Sequence, residues 1–156
     1  MHGKPEQRSQ PFDLRHWIEE AKSLGQLKEV EGADLKFEVG CITDLNATRG
    51  GPSLLFKNFK GYNSEFRVLT GSMMNVASLG VAMGFDGKLT NLEAVDKVAE
   101  ILRSCESNAK DFPVEYVDNG DAVDMTIFPT PTWHELDGGA YIGTGGWQVH
   151  RDPESD

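Results

Sequence analysis

Basic residues are scarce: 15 Lys and Arg stand against 25 Asp and Glu, a formal net charge of −10 in 156 residues. Lys57 and Lys60 are the nearest approach to a basic cluster. Nucleic-acid binding leans on Lys/Arg patches that neutralise phosphate, so that class of partner is disfavoured, and the acidity reads first as solubility. Cysteine is nearly absent. Cys41 and Cys105 lie far apart in no C-x-x-C or Cys/His spacing, which excludes a disulfide framework and reads as two reduced core thiols. No apolar run approaches the roughly 20 residues needed to cross a bilayer. The polar Met1–Gln10 stretch lacks the apolar core of a signal peptide, so it is expected to be a disordered lead-in to a cytoplasmic protein with no membrane partner.

Complete catalytic motifs are also missing. Gly138-Gly139-Ala140-Tyr141-Ile142-Gly143-Thr144-Gly145-Gly146 is dense in glycine, but no Gly-Lys-Ser/Thr ending follows and no G-x-G-x-x-G opens a helix. Bare backbone N–H groups there suit an anion or the close approach of a ligand; the same glycines also suit a bulge in a strand. His134, Glu135, Asp137 and His150 fit no zinc or calcium spacing. His16, His134 and His150 face no serine or cysteine in a nucleophile-elbow context. From the residues alone, no catalytic and no metal-binding side chain is assigned.

What is present is an ordinary globular balance, 38% hydrophobic and 26% charged. A chain of this length buries roughly two-thirds of its unfolded surface without help from metal or disulfide. Asp13 caps a helix whose Leu14, Trp17, Ile18, Ala21 and Leu24 repeat at one-face spacing, with Gly25 at its end. A strand over Gln26 to Val30 follows, then a helix over Leu35 to Ala47 through Leu35, Val39 and Ile42, stopped by Gly50-Gly51-Pro52. Ser53 to Phe59 and Phe66 to Thr70 read as neighbouring strands around a Gly61–Ser64 turn. Val76 to Met83 is a short helix, with Met73, Met74 and Met83 as core filling. Thr90-Asn91-Leu92-Glu93 is a capping box, opening a helix with Leu92, Val95, Val98, Ala99 and Leu102 on one face.

These alternations predict an α/β domain over residues 11–112. A second, β-rich unit over 113–156 is expected from Val114–Val117 and Ala122–Phe128, split by the Asp118–Asp121 turn. Pro129-Thr130-Pro131-Thr132 then argues against helix and central strand alike. Tyr141 to His150 reads as a strand, and Asp152-Pro153 as the turn after it. A strand whose hairpin partner would lie past Asp156 suggests the front piece of a longer protein.

The run from Phe128 to Thr144, with its Pro-punctuated loop, histidine and Asp137-Gly138-Gly139-Ala140-Tyr141-Ile142-Gly143-Thr144, resembles the segment of UbiD-family decarboxylases that leads into their flavin-binding barrel. Phe12-Asp13-Leu14-Arg15, Leu24-Gly25-Gln26-Leu27 and Gly51-Pro52-Ser53-Leu54-Leu55-Phe56-Lys57-Asn58 agree in order. Ser53 and Lys57 depart from the family's Gly-Pro-Ala-Leu-Leu-Phe-Glu-Asn. The resemblance implies an N-terminal α/β domain followed by the first strands of a split β-barrel. It further implies reversible, non-oxidative decarboxylation of an aromatic or α,β-unsaturated acid with prenylated FMN, Mn²⁺ and K⁺. It places Thr144 beside the flavin, flanked by Gly143, Gly145 and Tyr141. The family's metal ligands, substrate arginine and proton-handling glutamates correspond to positions beyond Asp156, and His134 does not coincide with the metal histidine. The fragment alone is expected to be inactive, and its parent to be a homo-oligomer. The alternative is a non-catalytic subunit or interaction module of a decarboxylase complex; a small nucleotide-binding domain is a third option.

Overall fold

Residues 13–104 and 124–142 are described by the computed structural model. The element order is α1 (Leu14–Ser23), β1 (Leu27–Glu31), α2 (Glu38–Thr48), β2 (Ser53–Lys57), β3 (Val68–Thr70), α3 (Val76–Met83) and α4 (Asn91–Ser104). This is a mixed α/β arrangement, as the sequence predicts. The three strands lie in the order β1-β2-β3, with β1 parallel and β3 antiparallel to their shared neighbour β2. Leu27 pairs with Ser53 and Glu31 with Lys57, while Leu54 pairs with Thr70.

The central strand explains its own sequence. Ser53, Leu54, Leu55 and Phe56 are all buried, because both faces of the sheet are covered and alternation with polar residues would leave one face wet. Leu55 points to a core with Trp17, Ile18, Ala21, Leu27 and Val81 beneath α1 and α3. Leu54 and Phe56 point the other way, to Ala33, Val39 and Phe59, with Trp133 packed against them.

Local signals fix most helix ends. The Asp13 carboxylate accepts from the Arg15 and His16 amides at 2.9 and 3.0 Å, capping α1. Gly25 takes φ +68°, the left-handed turn that an L side chain resists. Asn75 and Ser78 cap α3 reciprocally, and Thr90 and Glu93 do the same at the start of α4.

Several expectations are corrected. The first strand starts one residue late and ends at Glu31, not Val30. The second helix begins at Glu38 rather than Leu35, because Lys36 bridges to Thr132 and Phe37 turns to φ +73°. That pairing with a distant segment outweighs the helical period of Leu35. The strand expected to reach Phe59 ends at Lys57, where Asn58 adopts φ +59°. The strand expected from Phe66 holds only from Val68.

Met125–Ile127 forms a 3-10 turn instead of a strand. The Asp124 carboxylate accepts from the Thr126 amide and hydroxyl at 2.9 and 2.6 Å, closing the backbone locally. Cys41 and Met73 are exposed rather than in the core, and so are Leu14 and Leu24 at the two ends of the α1 stripe. In α4, Leu92, Val95 and Leu102 of the expected face are 73, 64 and 64% exposed and Val98 and Ala99 half-buried, while Ala94 is buried. The α4 period was apolar, but the neighbour it implied is not among the described elements. Tyr141 and Ile142 carry no strand pairing in the described part of the Tyr141–His150 stretch. The Met1–Gln10 lead-in, Cys105, Val114–Val117, the Asp118–Asp121 turn and residues 143–156 lie outside the described residues.

Candidate functional site

The segment that carries the motif is fastened to α2. Thr132 donates its amide to the Leu35 carbonyl at 3.0 Å and accepts from the Phe37 amide at 2.9 Å, a two-residue parallel splice. One residue on, the Trp133 carbonyl fills the space where Gly40 would carry a Cβ. The next residue, His134, sets its Nε2 3.0 Å from Asp44 Oδ2. Glycine inside a helix costs up to about 1 kcal/mol against alanine, so an isolated Gly40 in α2 was a readable sign of close backbone approach.

Beyond that junction the chain turns back on itself. The His134 amide donates to Asp137 Oδ2 at 2.8 Å, and the Asp137 amide returns to the His134 carbonyl at 3.2 Å. Tyr141 is then held twice. Its amide donates to the Pro131 carbonyl at 3.2 Å, and its carbonyl accepts from Trp133 Nε1 at 3.3 Å. The two rings stand 6.4 Å apart, tilted by 51°. This is the range in which aromatic edges and faces attract.

Tyr141 borders an apolar cleft of about 500 Å³ with Tyr62, Met125, Phe128, Ala140 and Ile142, with the Thr126 and Thr130 side chains as its polar members. The Phe128 ring lies 5.2 Å from that of Phe66, tying this edge to the strand side of the domain. Asp124, at the entrance to Met125, is held below the usual carboxylate range by the Thr126 hydroxyl and then by the Thr126 amide. A mostly apolar wall with a few hydroxyls suits a flat, weakly polar ring. Among the described residues, no three His, Cys, Asp or Glu side chains come together as a metal site.

Of the flavin-side residues expected from sequence, Tyr141 alone is described; Gly143, Thr144 and Gly145 lie outside the described residues. Tyr62 has no local signal in the sequence, because only the tertiary fold brings it to the cleft beside Phe128.

Two family profiles match the chain. The 3-octaprenyl-4-hydroxybenzoate carboxy-lyase N-terminal domain covers residues 18–102, and the Rift-related domain of the same carboxy-lyase covers residues 105–156. Pyrrole-2-carboxylic acid decarboxylase of Pseudomonas aeruginosa is 30% identical over 92% of this chain. Ferulic acid decarboxylase 1 of Saccharomyces cerevisiae is 26% identical over 92% of it. The chain spans 31% of the length of each of these relatives. Among solved structures, the vanillic acid decarboxylase of Sedimentibacter hydroxybenzoicus in its closed form superposes with a TM-score of 0.67 at 20% identity, covering 86% of this chain and 30% of that one. An evolved dimeric form of the UbiD-class enzyme HmfF from Pelotomaculum thermopropionicum, in complex with prFMN, gives 0.58 at 26% identity, covering 83% of this chain and 30% of that one.

Proposed function

The chain belongs to the UbiD family of carboxy-lyases, and on that premise we propose that it forms the N-terminal part of a decarboxylase. The substrate would be an aromatic or α,β-unsaturated carboxylic acid, converted reversibly and without net oxidation with prenylated FMN. The observation that carries this reading is the paired match of both family domains in order, over residues 18–102 and 105–156. Relatives named for pyrrole-2-carboxylic and ferulic acids support the substrate class, and a prFMN-bound relative supports the cofactor. Mn²⁺ and K⁺, homo-oligomeric assembly and a cytoplasmic setting complete the proposal by family likeness.

Loss of CO₂ from an sp² carbon leaves a carbanion that needs an electron sink, and prenylated FMN supplies that sink when bound. The described residues fit the cofactor's chemistry in kind: Tyr141, Tyr62, Phe128 and Ile142 present an apolar wall with aromatic members. Their part is to exclude water and hold a planar ring. The α/β layer holds the segment that bears Tyr141. The catalytic residues that the family resemblance implies correspond to no position in this sequence, and the 156 residues alone are expected to release no CO₂.

The test is to express the gene carrying this chain, with any coding sequence that follows it, in cells that make prenylated FMN. Purified protein should show a flavin spectrum and release CO₂ from a panel of aromatic and α,β-unsaturated acids. Flavin-free protein without turnover on that panel overturns the reading. Turnover by the 156-residue chain supplied with the cofactor overturns its dependence on further residues.

A further inference from the structure

Three consecutive residues climb one side of α2. The Thr132 carbonyl accepts from the Phe37 amide at the helix N-cap at 2.9 Å, Trp133 meets Gly40 through its carbonyl, and His134 meets Asp44 at 3.0 Å. Positions 37, 40 and 44 are spaced by three and four, so they share a helix face. A single extended stretch can therefore touch all three. From there the order passes to Tyr141 through the Trp133 indole and the Pro131 carbonyl.

We infer that Gly40 and Asp44 are positioning residues: they seat Trp133 and His134 on α2 and so fix where Tyr141 stands. The inference rests on the flavin reading above and adds to it two residues outside the cleft. Gly40 acts by lacking a side chain, since any Cβ there collides with the Trp133 backbone, which cannot swing aside as a flexible side chain would. Asp44 acts through its carboxylate, which takes the His134 imidazole from one side while Asp137 Oδ2 stands 3.7 Å from Nδ1 on the other. Trp133 also packs on the Val39, Leu54 and Phe56 core, so the seat is continuous with the sheet.

The experiment uses the flavin-loaded protein with Gly40→Ala, Asp44→Asn and, as rescue, Asp44→Glu. Amide exchange is read at Tyr141, with Leu55 and Phe56 as internal controls, and flavin affinity is read by titration. Tyr141 should exchange about tenfold faster in Gly40→Ala and a few-fold faster in Asp44→Asn, in each case beyond any acceleration that lost global stability causes at the two controls. Flavin affinity should fall in the same order, and Asp44→Glu should recover both. Should Gly40→Ala fail to fold, the Asp44 pair decides alone. Unchanged Tyr141 exchange in Asp44→Asn and Gly40→Ala overturns the seating, as does equal acceleration at Leu55 and Phe56. Faster Tyr141 exchange with unaltered flavin affinity overturns the positioning role but leaves the cofactor reading intact. An unsubstituted protein that takes up no flavin overturns the cofactor reading, while the exchange rates still decide the seating.

Discussion

The Trp133 carbonyl occupies the volume that a side chain on Gly40 would need, and this contact joins the motif-bearing segment to the α/β layer. Gly40→Ala therefore sets two effects against each other. Helix propensity favours alanine by up to about 1 kcal/mol, whereas forcing a methyl against packed backbone costs about 1–3 kcal/mol. The clash should win, giving a net loss of stability in urea unfolding, and Gly40→Val should lose more. A variant as stable as the original would mean that Trp133 retreats freely.

Phe56 is fully buried in the middle strand, packed with Val39 and Leu54. Phe56→Ala should cost about 3–5 kcal/mol, the usual price of an aromatic cavity in a core. Thermal unfolding measures it; Leu92→Ala, on the exposed face of α4, should shift the midpoint little by comparison.

Lys57 stands where the family pattern carries glutamate, and here it bridges Glu29 at 2.7 Å and Glu31 at 3.0 Å across the parallel pair. Its hydrogen bond to Glu29, then that to Glu31, raises the lysine's titration, and Lys57 lowers that of both glutamates. Lys57→Glu would set three carboxylates together on neighbouring strands. The melting temperature should fall at low ionic strength and recover in part at high salt, because exposed charges are screened within about 10 Å at 0.1 M. A loss independent of salt would point to packing instead.

Glu93 is held below the usual glutamate range, first by the Thr90 amide at 2.8 Å and then by the Thr90 hydroxyl at 2.7 Å. A depressed carboxylate binds fewer protons folded than unfolded, so its contribution is present above the ordinary glutamate range. It is lost as pH falls through the lowered folded value. The first turn of α4 should fray in that acid window, seen as faster exchange at the Ala94 amide, which donates to the Thr90 carbonyl at 2.9 Å. In Glu93→Gln the fraying should no longer follow that titration.

Sequence was a good guide wherever structure is decided within a few residues. Asp13, Gly25 and Thr90 with Glu93 each settle a helix end through nearby backbone groups, so those ends could be placed from local chemistry. The unbroken apolar run Leu54-Leu55-Phe56 likewise required cover on two faces. What failed was set by distant partners. Leu35 and Lys36 leave the helix for Thr132, and no period within residues 35–47 encodes that. Leu92, Val95 and Leu102 repeat as a buried face should, yet periodicity marks an apolar side without saying what meets it. Cys41 has the composition of a core residue and the address of a surface one. For the site, the motif pointed to Tyr141, whereas Tyr62 and Phe128 reach the cleft only through the fold.

The Lys36–Thr132 pairing closes a loop of nearly a hundred residues, an entropic cost that grows with the logarithm of length and must be met late. The core of Trp17, Ile18, Leu55 and Val81 needs nothing from beyond α3. On a translating ribosome, which adds about 5–20 residues per second, that layer has on the order of seconds to settle before Trp133 is made. Gly40 then waits as a notch already cut, and the later-made stretch clicks onto a surface that was finished before it.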